Sequence, residues 1–253
     1  MKPLAFLLMA SLAPHAPLVG IARSSSGQWM RVSGLPGTLT VEPATDLDGA
    51  DAVFSTSRLL VIRRSESVEF FEDGFSCCSV SFSSRAQLAA GDSSPLLVGF
   101  SKSASEAILA TSTTLHHYTN HQLTEIPFLH GGQLLALTLP TPNQATVLVQ
   151  NEPTASLLTI HLPDGATQNE ANLAPGISAA VLFPSGSALL LRDSQIIHRA
   201  PSGEENPVEL PAAITALNWL GPDWAQATTA TGTNFAIRIE PKLRVMELPE
   251  VQP

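Results

Sequence analysis

An all-β chain folded as a ring of repeated sheets is what this sequence predicts, and three observations carry the prediction. Charge is sparse, apolar runs are short and bounded by turn residues, and one strand–turn–strand plan recurs along most of the chain. Of 253 residues, 14% are charged and 44% hydrophobic, with 16 Gly and 20 Pro. A charged fraction well under the usual quarter argues against charge-driven disorder and against coiled coil. Abundant Gly, Pro, Ser and Thr suit many short strands joined by turns. A chain of this length can bury a large core without staples.

The clearest repeat unit is Ile177–Gly203, ISAAVLFPSGSALLLRDSQIIHRAPSG. It reads as a strand, a Pro-Ser-Gly turn, a second apolar strand, a polar turn at Asp193-Ser194 and a third strand. Leu96–Leu123 follows the same plan. Phe100 aligns with Phe183, Ala107-Ile108-Leu109 with Ala188-Leu189-Leu190, and His117 with His198. Weaker copies start at Ala52 and Leu135, and a fifth starts at Ala216. The anchors Phe54, Phe100, Leu139, Phe183 and Trp219 are 46, 39, 44 and 36 residues apart. That spacing lies close to the ~40–45 residues of a four-stranded propeller blade.

The second strand of each copy is continuously apolar, as in Leu59-Leu60-Val61-Ile62 and Leu189-Leu190-Leu191. Such runs mark strands covered on both faces, which stacked blades provide. The predicted fold is therefore an all-β propeller of about six four-stranded blades, with five or seven as alternatives.

The F-x-x-S/G turns that lead into apolar pairs, at Phe54, Phe100 and Phe183, give the chain a family likeness over roughly 46–248. It resembles the YVTN-like and WD-type propeller repeats of exported bacterial proteins. The Gly-His and Trp-Asp dipeptides of WD repeats are missing at the expected places. The resemblance implies an architecture used mostly as an interaction platform, and no particular activity.

Taken in chain order, the amino terminus comes first. Lys2 precedes the apolar and small-residue run Leu4–Ala13, which Pro14 and Pro17 end. The run has the length of an export-signal core and is too short to span a bilayer. We expect residues 1–16 to be a signal peptide and 17–253 a single propeller domain, against an uncleaved anchor or a buried first strand. Ala13, Ala16 and Ala22 are candidate cleavage positions, although proline follows the first two. No cysteine precedes Cys77, so an early lipidated cysteine is excluded. The expected location is periplasmic or extracellular, with no membrane insertion once the signal is removed.

Leu18–Ala22 and Gln28–Val32 then read as a hairpin, part of a further blade completed by the carboxyl-terminal strands. Asp46-Leu47-Asp48-Gly49-Ala50-Asp51 has closely spaced carboxylates and a Gly turn, which suit a hard cation. It lacks the EF-hand glycine and closing glutamate, so a polar inter-blade turn is expected. Arg63-Arg64 reads as the solvated end of a strand.

Cys77 and Cys78 are the only cysteines. Neighbouring Cα atoms lie about 3.8 Å apart, below the usual disulfide minimum of about 4.4 Å, and adjacent strand residues face opposite ways. Two unbridged thiols are expected, with Cys78 buried; a vicinal bridge serving as a ligand platform is the alternative. His116, His117 and His121, with His130 nearby, could suggest a metal site, which needs three or four convergent groups. Adjacent strand residues diverge, however, and His117 shares its repeat position with His198, so a structural role is expected. Trp219 and Trp224 flank Gly221-Pro222-Asp223; a sugar-stacking platform is one reading, and a core role for Trp219 as a repeat anchor is the expected one.

Net charge is −9 with only three lysines, Lys2, Lys102 and Lys242. No basic stripe exists for a phosphate backbone or an anionic membrane, so neither is an expected partner. There is no G-x-S-x-G elbow, P-loop or dinucleotide fingerprint. No catalytic residue, cofactor or metal ligand is nominated. The expected function is a non-catalytic exported binding or scaffold protein that holds a protein or small ligand on propeller rim loops. The alternatives are a propeller enzyme, such as a lactonase or glycan-cleaving hydrolase, and a cell-surface adhesion component. An enzyme would need acidic or histidine side chains converging on the central channel.

Overall fold

Apolar runs without polar alternation must lie between sheets, and that is where the second strand of every repeat lies. The computed structural model describes residues 16–35, 37–65, 67–72, 86–89, 96–111, 114–128 and 131–249. These form six antiparallel sheets arranged as the blades of a propeller. Blade 1 holds β1 (Leu18–Arg23), β2 (Trp29–Leu35) and β3 (Thr38–Pro43). Blade 2 holds β4 (Ala52–Ser55), β5 (Leu59–Arg64), β6 (Ser67–Glu72) and β7 (Ala86–Ala89). Blade 3 holds β8 (Leu97–Phe100), β9 (Ala107–Ala110), β10 (Leu115–Thr119) and β11 (Gln122–Ile126). Blade 4 holds β12 (Gln133–Thr141), β13 (Gln144–Asn151), β14 (Thr154–His161) and β15 (Ala166–Leu173). Blade 5 holds β16 (Ile177–Leu182), β17 (Ala188–Arg192), β18 (Gln195–Arg199) and β19 (Glu205–Val208). Blade 6 holds β20 (Ile214–Gly221), β21 (Trp224–Thr229), β22 (Asn234–Arg238) and β23 (Arg244–Glu247). Helix is confined, among the described residues, to one 3-10 turn at Thr45–Leu47.

The predicted repeats coincide with blades 2 to 6. Ile108 in β9 pairs with His117 in β10, and Leu189 in β17 pairs with His198 in β18, so the aligned histidines occupy one register position. All of Ala107–Ala110 and Ala188–Leu191 are buried. The upper face of the ring is where inner strands begin and the lower face is where they end. Ser101 bridges in parallel to Leu139, which fixes the common direction of β8 and β12.

Blade 1 departs from the expectation. The carboxyl-terminal strand does not complete it: β23 pairs with β22 in blade 6, through Phe235↔Glu247 to Arg238↔Arg244. Closing the short connection from Arg238 to Arg244 costs far less loop entropy than joining the two ends of the chain. The termini still adjoin, because Leu248 packs with Val19, Met30 and Val32 in one apolar cluster between blades 6 and 1.

Direction and burial identify the three strands of blade 1. Gly20 abuts Leu220, whereas Arg23 meets Gln226, the register partner of Asn218. Moving up β1 therefore moves back along β20, so β1 runs antiparallel to the inner strands. The Trp29 indole Nε1 donates to the Ala50 carbonyl (2.9 Å), which puts the β1–β2 turn at the end where β4 begins. The covered core of β1, Val19 to Ala22, matches the second strands of other blades. The mostly exposed β3 matches their fourth strands. Among the described residues, blade 1 has no innermost strand.

Its inner edge is closed by blade 6. The Arg23 backbone N–H donates to Gln226 Oε1 (3.0 Å), and Gln226 Nε2 donates back to the Arg23 carbonyl (2.7 Å). A buried side-chain amide thus supplies the donor and acceptor that a neighbouring strand would. A Cβ on Gly20 would collide with the Leu220 carbonyl, and one on Gly221 with the Val19 carbonyl. Glycine at both places lets the two backbones meet.

Residues 1–15 of the proposed signal segment, Cys77, Cys78 and His130 lie outside the described residues.

Candidate functional site

Three of the five repeat anchors, Phe100, Phe183 and Trp219, meet at the axis. Phe100 and Phe183, at the lower ends of inner strands, lie 5.3 and 5.9 Å from Trp219 between ring centroids, with tilted planes. The Trp219 Nε1–H donates to the Ser55 carbonyl (3.1 Å), joining blade 6 to blade 2. Trp219 is therefore core, as its place in the repeat predicts, and it closes the inner ring where blade 1 lends no strand. Above this aromatic floor lies a cavity of about 300 Å³. Leu97, Leu135 and Ala179 are among its apolar lining, and its polar groups are Gln133, Ser178 and Asn218. Among the described residues, no carboxylate, imidazole or cation lines it.

Ionisable chemistry gathers instead on the lower face between blades 2 and 3, around a cavity of about 260 Å³. Buried Tyr118 stacks on Phe70 at 4.5 Å and donates its hydroxyl to Glu72 Oε1 (2.7 Å). Glu72 Oε2 takes the Nδ1–H of His121 at 2.9 Å. Glu106 accepts from the Thr119 hydroxyl (3.0 Å), and Arg58 and Ser105 complete the lining. Asn120 and His121 both have positive φ, 49° and 62°, as a two-residue hairpin turn requires, and this turn presents His121 to Glu72. The cluster offers two fixed carboxylates, an imidazole held by one nitrogen, and a guanidinium with no ion pair among the described residues. It can bind hydrogen-bonding or charged groups of a partner.

The histidines flagged by sequence do not come together. His116 Nε2 bonds the Thr114 hydroxyl (2.8 Å), whereas His117, its strand neighbour, has a buried Nε2 with no partner in the described structure. Burial lowers the pKa of both below the ordinary histidine value, against the smaller raising effects of Glu125 on His116 and Glu106 on His117. His121 turns away to Glu72. The aspartates of the 46–51 segment diverge as well. Asp46 pairs with Arg31, Leu47 is buried, and Asp51 Oδ2 accepts the Ser65 N–H (2.7 Å), as a polar inter-blade turn should. Trp224 is buried and carries the Arg238 guanidinium 5.6 Å from its ring centre, which leaves no open stacking face for a sugar. Arg64 closes its strand end by pairing with Glu69 (2.9 Å).

Sequence reasoning missed Arg58, Glu72 and Glu106. They come from two blades and from an A–B turn, a third-strand end and a second-strand start, with no shared motif. The one available signal was that Arg58 and Glu106 both follow F-x-x-S turns, which blade stacking carries to the same face.

No protein-family model matches the chain, and comparison with curated proteins finds no match. Solved structures do match. A chain of the nidogen/laminin complex superposes with a TM-score of 0.60 at 11% identity, covering 94% of this chain and 93% of that one. The RRP9 WD40 repeats superpose with a TM-score of 0.53 at 11% identity, covering 93% and 82%. Hsv2 of Kluyveromyces lactis gives a TM-score of 0.50 at 8% identity, covering 92% and 98%. At such identities the likeness is one of fold: a six-bladed β-propeller with WD40-type structural neighbours.

Proposed function

We propose that this chain is an exported, non-catalytic interaction scaffold that docks a protein partner on its lower rim. The observation that carries the reading is the division between axis and rim. The axial cavity is apolar over an aromatic floor, while Arg58, Glu72, Glu106 and His121 gather at the lower face. Fold-level likeness to a chain of the nidogen/laminin complex is in keeping with protein binding. Export rests on Lys2 and the Leu4–Ala13 run.

Two measurements test this. Mass spectrometry of the secreted or periplasmic fraction should find a chain starting between Pro14 and Leu18, which keeps β1 whole; an intact Met1 confined to the cytoplasm sinks export. Affinity capture from the producing cells' envelope fraction should lose its partner on Arg58→Glu or Glu106→Lys and keep it on the upper-face change Thr215→Lys. Equal capture by all three discards the lower rim. The hydrolase reading would have to use Glu72 and Glu106, since among the described residues no carboxylate lines the axial cavity. Glycoside or lactone turnover abolished by Glu106→Gln would establish it in place of the scaffold.

A further inference from the structure

On the lower face between blades 4 and 5, a cavity of about 100 Å³ is lined by Leu157, Leu173, Leu182 and Phe183. Arg199 and a set of hydroxyls also line it. Arg199 is 16% exposed, and its Nε is buried without a hydrogen-bond partner. Among the described residues, its only hydrogen bond is a long one from Nη1 to the Ala200 carbonyl (3.4 Å). The nearest carboxylate, Glu205, hydrogen-bonds Arg192 at 3.0 Å and stands 3.9 Å from Arg199 Nε. Two guanidiniums thus share one carboxylate, a local charge of 2 − 1 = +1. A half-satisfied buried cation is costly unless something pairs with it.

Hydroxyls add further hydrogen-bonding capacity. Thr146, Thr159 and Ser187 line the cavity, and none of their hydroxyls makes a hydrogen bond among the described residues. Thr138, buried in the wall, reaches the Phe100 carbonyl only at 3.4 Å. The cavity therefore joins one planar, charged donor group and several free hydroxyls to an apolar wall. Its volume is about three liquid water molecules' worth, too small for a sugar or a peptide residue with a long side chain.

We propose that this inter-blade cavity binds a short aliphatic monocarboxylate, with the carboxylate on Arg199 and the alkyl tail against Leu157, Leu173 and Phe183. A planar carboxylate matches the guanidinium fork and takes the hydroxyl donors on its remaining lone pairs. A tetrahedral dianion would exceed the single positive charge and press its outer oxygens against leucine. The site is independent of the rim proposed for protein docking.

Melting of the full chain at constant ionic strength tests this, with propionate as the probe and propionamide, sulfate and chloride beside it. Propionate should raise Tm saturably, by about 5 °C at a hundredfold excess over Kd, and the other three should not. Arg199→Met should abolish the shift. Thr159→Val, which keeps the packing shape, should weaken it at least threefold and covers the case in which Arg199→Met fails to fold. No saturable response to propionate overturns the site. An equal response to propionamide or sulfate overturns the carboxylate assignment, and a full response in both variants overturns the location.

Discussion

Blade 1 and blade 5 reach the same place in the ring by different means. Blade 5 is complete: an inner strand, a second strand buried along Ala188–Leu191, and two outer strands joined by tight turns. Its four strands are joined in one continuous backbone ladder. Among the described residues, blade 1 holds only the counterparts of second, third and fourth strands, and its inner edge is met by the Gln226 side chain and by backbone contact at Gly20 and Gly221. The difference teaches that a strand's role is set by its direction and by what covers it, not by its order in the chain. It also places the mechanical weakness of the ring at one seam.

Steric change at the seam should break the comparison most strongly. Gly20→Val puts a branched side chain where the Leu220 backbone lies, and backbone cannot yield as a flexible side chain would. It should cost about 3 kcal/mol or more by chemical denaturation. Gly186→Ala in blade 5 meets open contacts and strains only a φ of +89°, for a cost of about 1 kcal/mol. Equal costs would mean the seam is not special.

Removing the amide clamp comes next. Gln226→Ala leaves the Arg23 N–H and carbonyl without their partner, an expected loss of about 1–3 kcal/mol. Hydrogen exchange should then quicken at Arg23 while the β17 amides of blade 5 keep their protection. Unchanged exchange at Arg23 would assign closure to the glycine contact alone.

Acidification acts on the complete blades instead. His117 in blade 3 and His198 in blade 5 occupy equivalent third-strand positions, and burial lowers the pKa of each, with Glu106 partly opposing this at His117. Blade 1 has no histidine. Because the folded groups take up protons later than the unfolded ones, stability is held above pH ~6.5 and falls as pH drops below it. The double change His117→Gln, His198→Gln should flatten this fall in Tm between pH 7 and 5. A slope unchanged by the pair would move its origin to carboxylates.

The smallest effect is expected from removing residues 1–15. The seam draws on Val19, Gly20 and Arg23, so the shortened chain should melt cooperatively within about 2 °C of the full one. A loss of cooperativity would instead give the apolar run Leu4–Ala13 the missing inner-strand position.

Much of the ring was legible because its causes are local. Continuous apolar runs such as Leu189–Leu191 require cover on both faces, and turns such as Phe183-Pro184-Ser185-Gly186 recur at blade spacing. The aligned histidines kept their register because the same turns set the same pairing. Blade 1 was harder to read. Its hairpin is plain in the sequence, but nothing in Leu18–Arg23 says that its inner edge will meet a glutamine from a strand some 200 residues later, at |i−j| = 203. The lower-face cluster was illegible for the same reason. His121 showed as a candidate ligand, yet its partner Glu72 lies across a blade boundary.

The sequence by itself determined an all-β ring of about six units, the buried status of its second strands and the core role of Trp219 as a repeat anchor. Those properties follow from hydrophobic period and turn chemistry, which act over a few residues. Only the tertiary structure decided which strand positions the described residues of the first blade fill, how the ring closes, and which ionisable groups meet on the lower face. These depend on backbone direction and on the juxtaposition of blades, and a linear pattern carries neither.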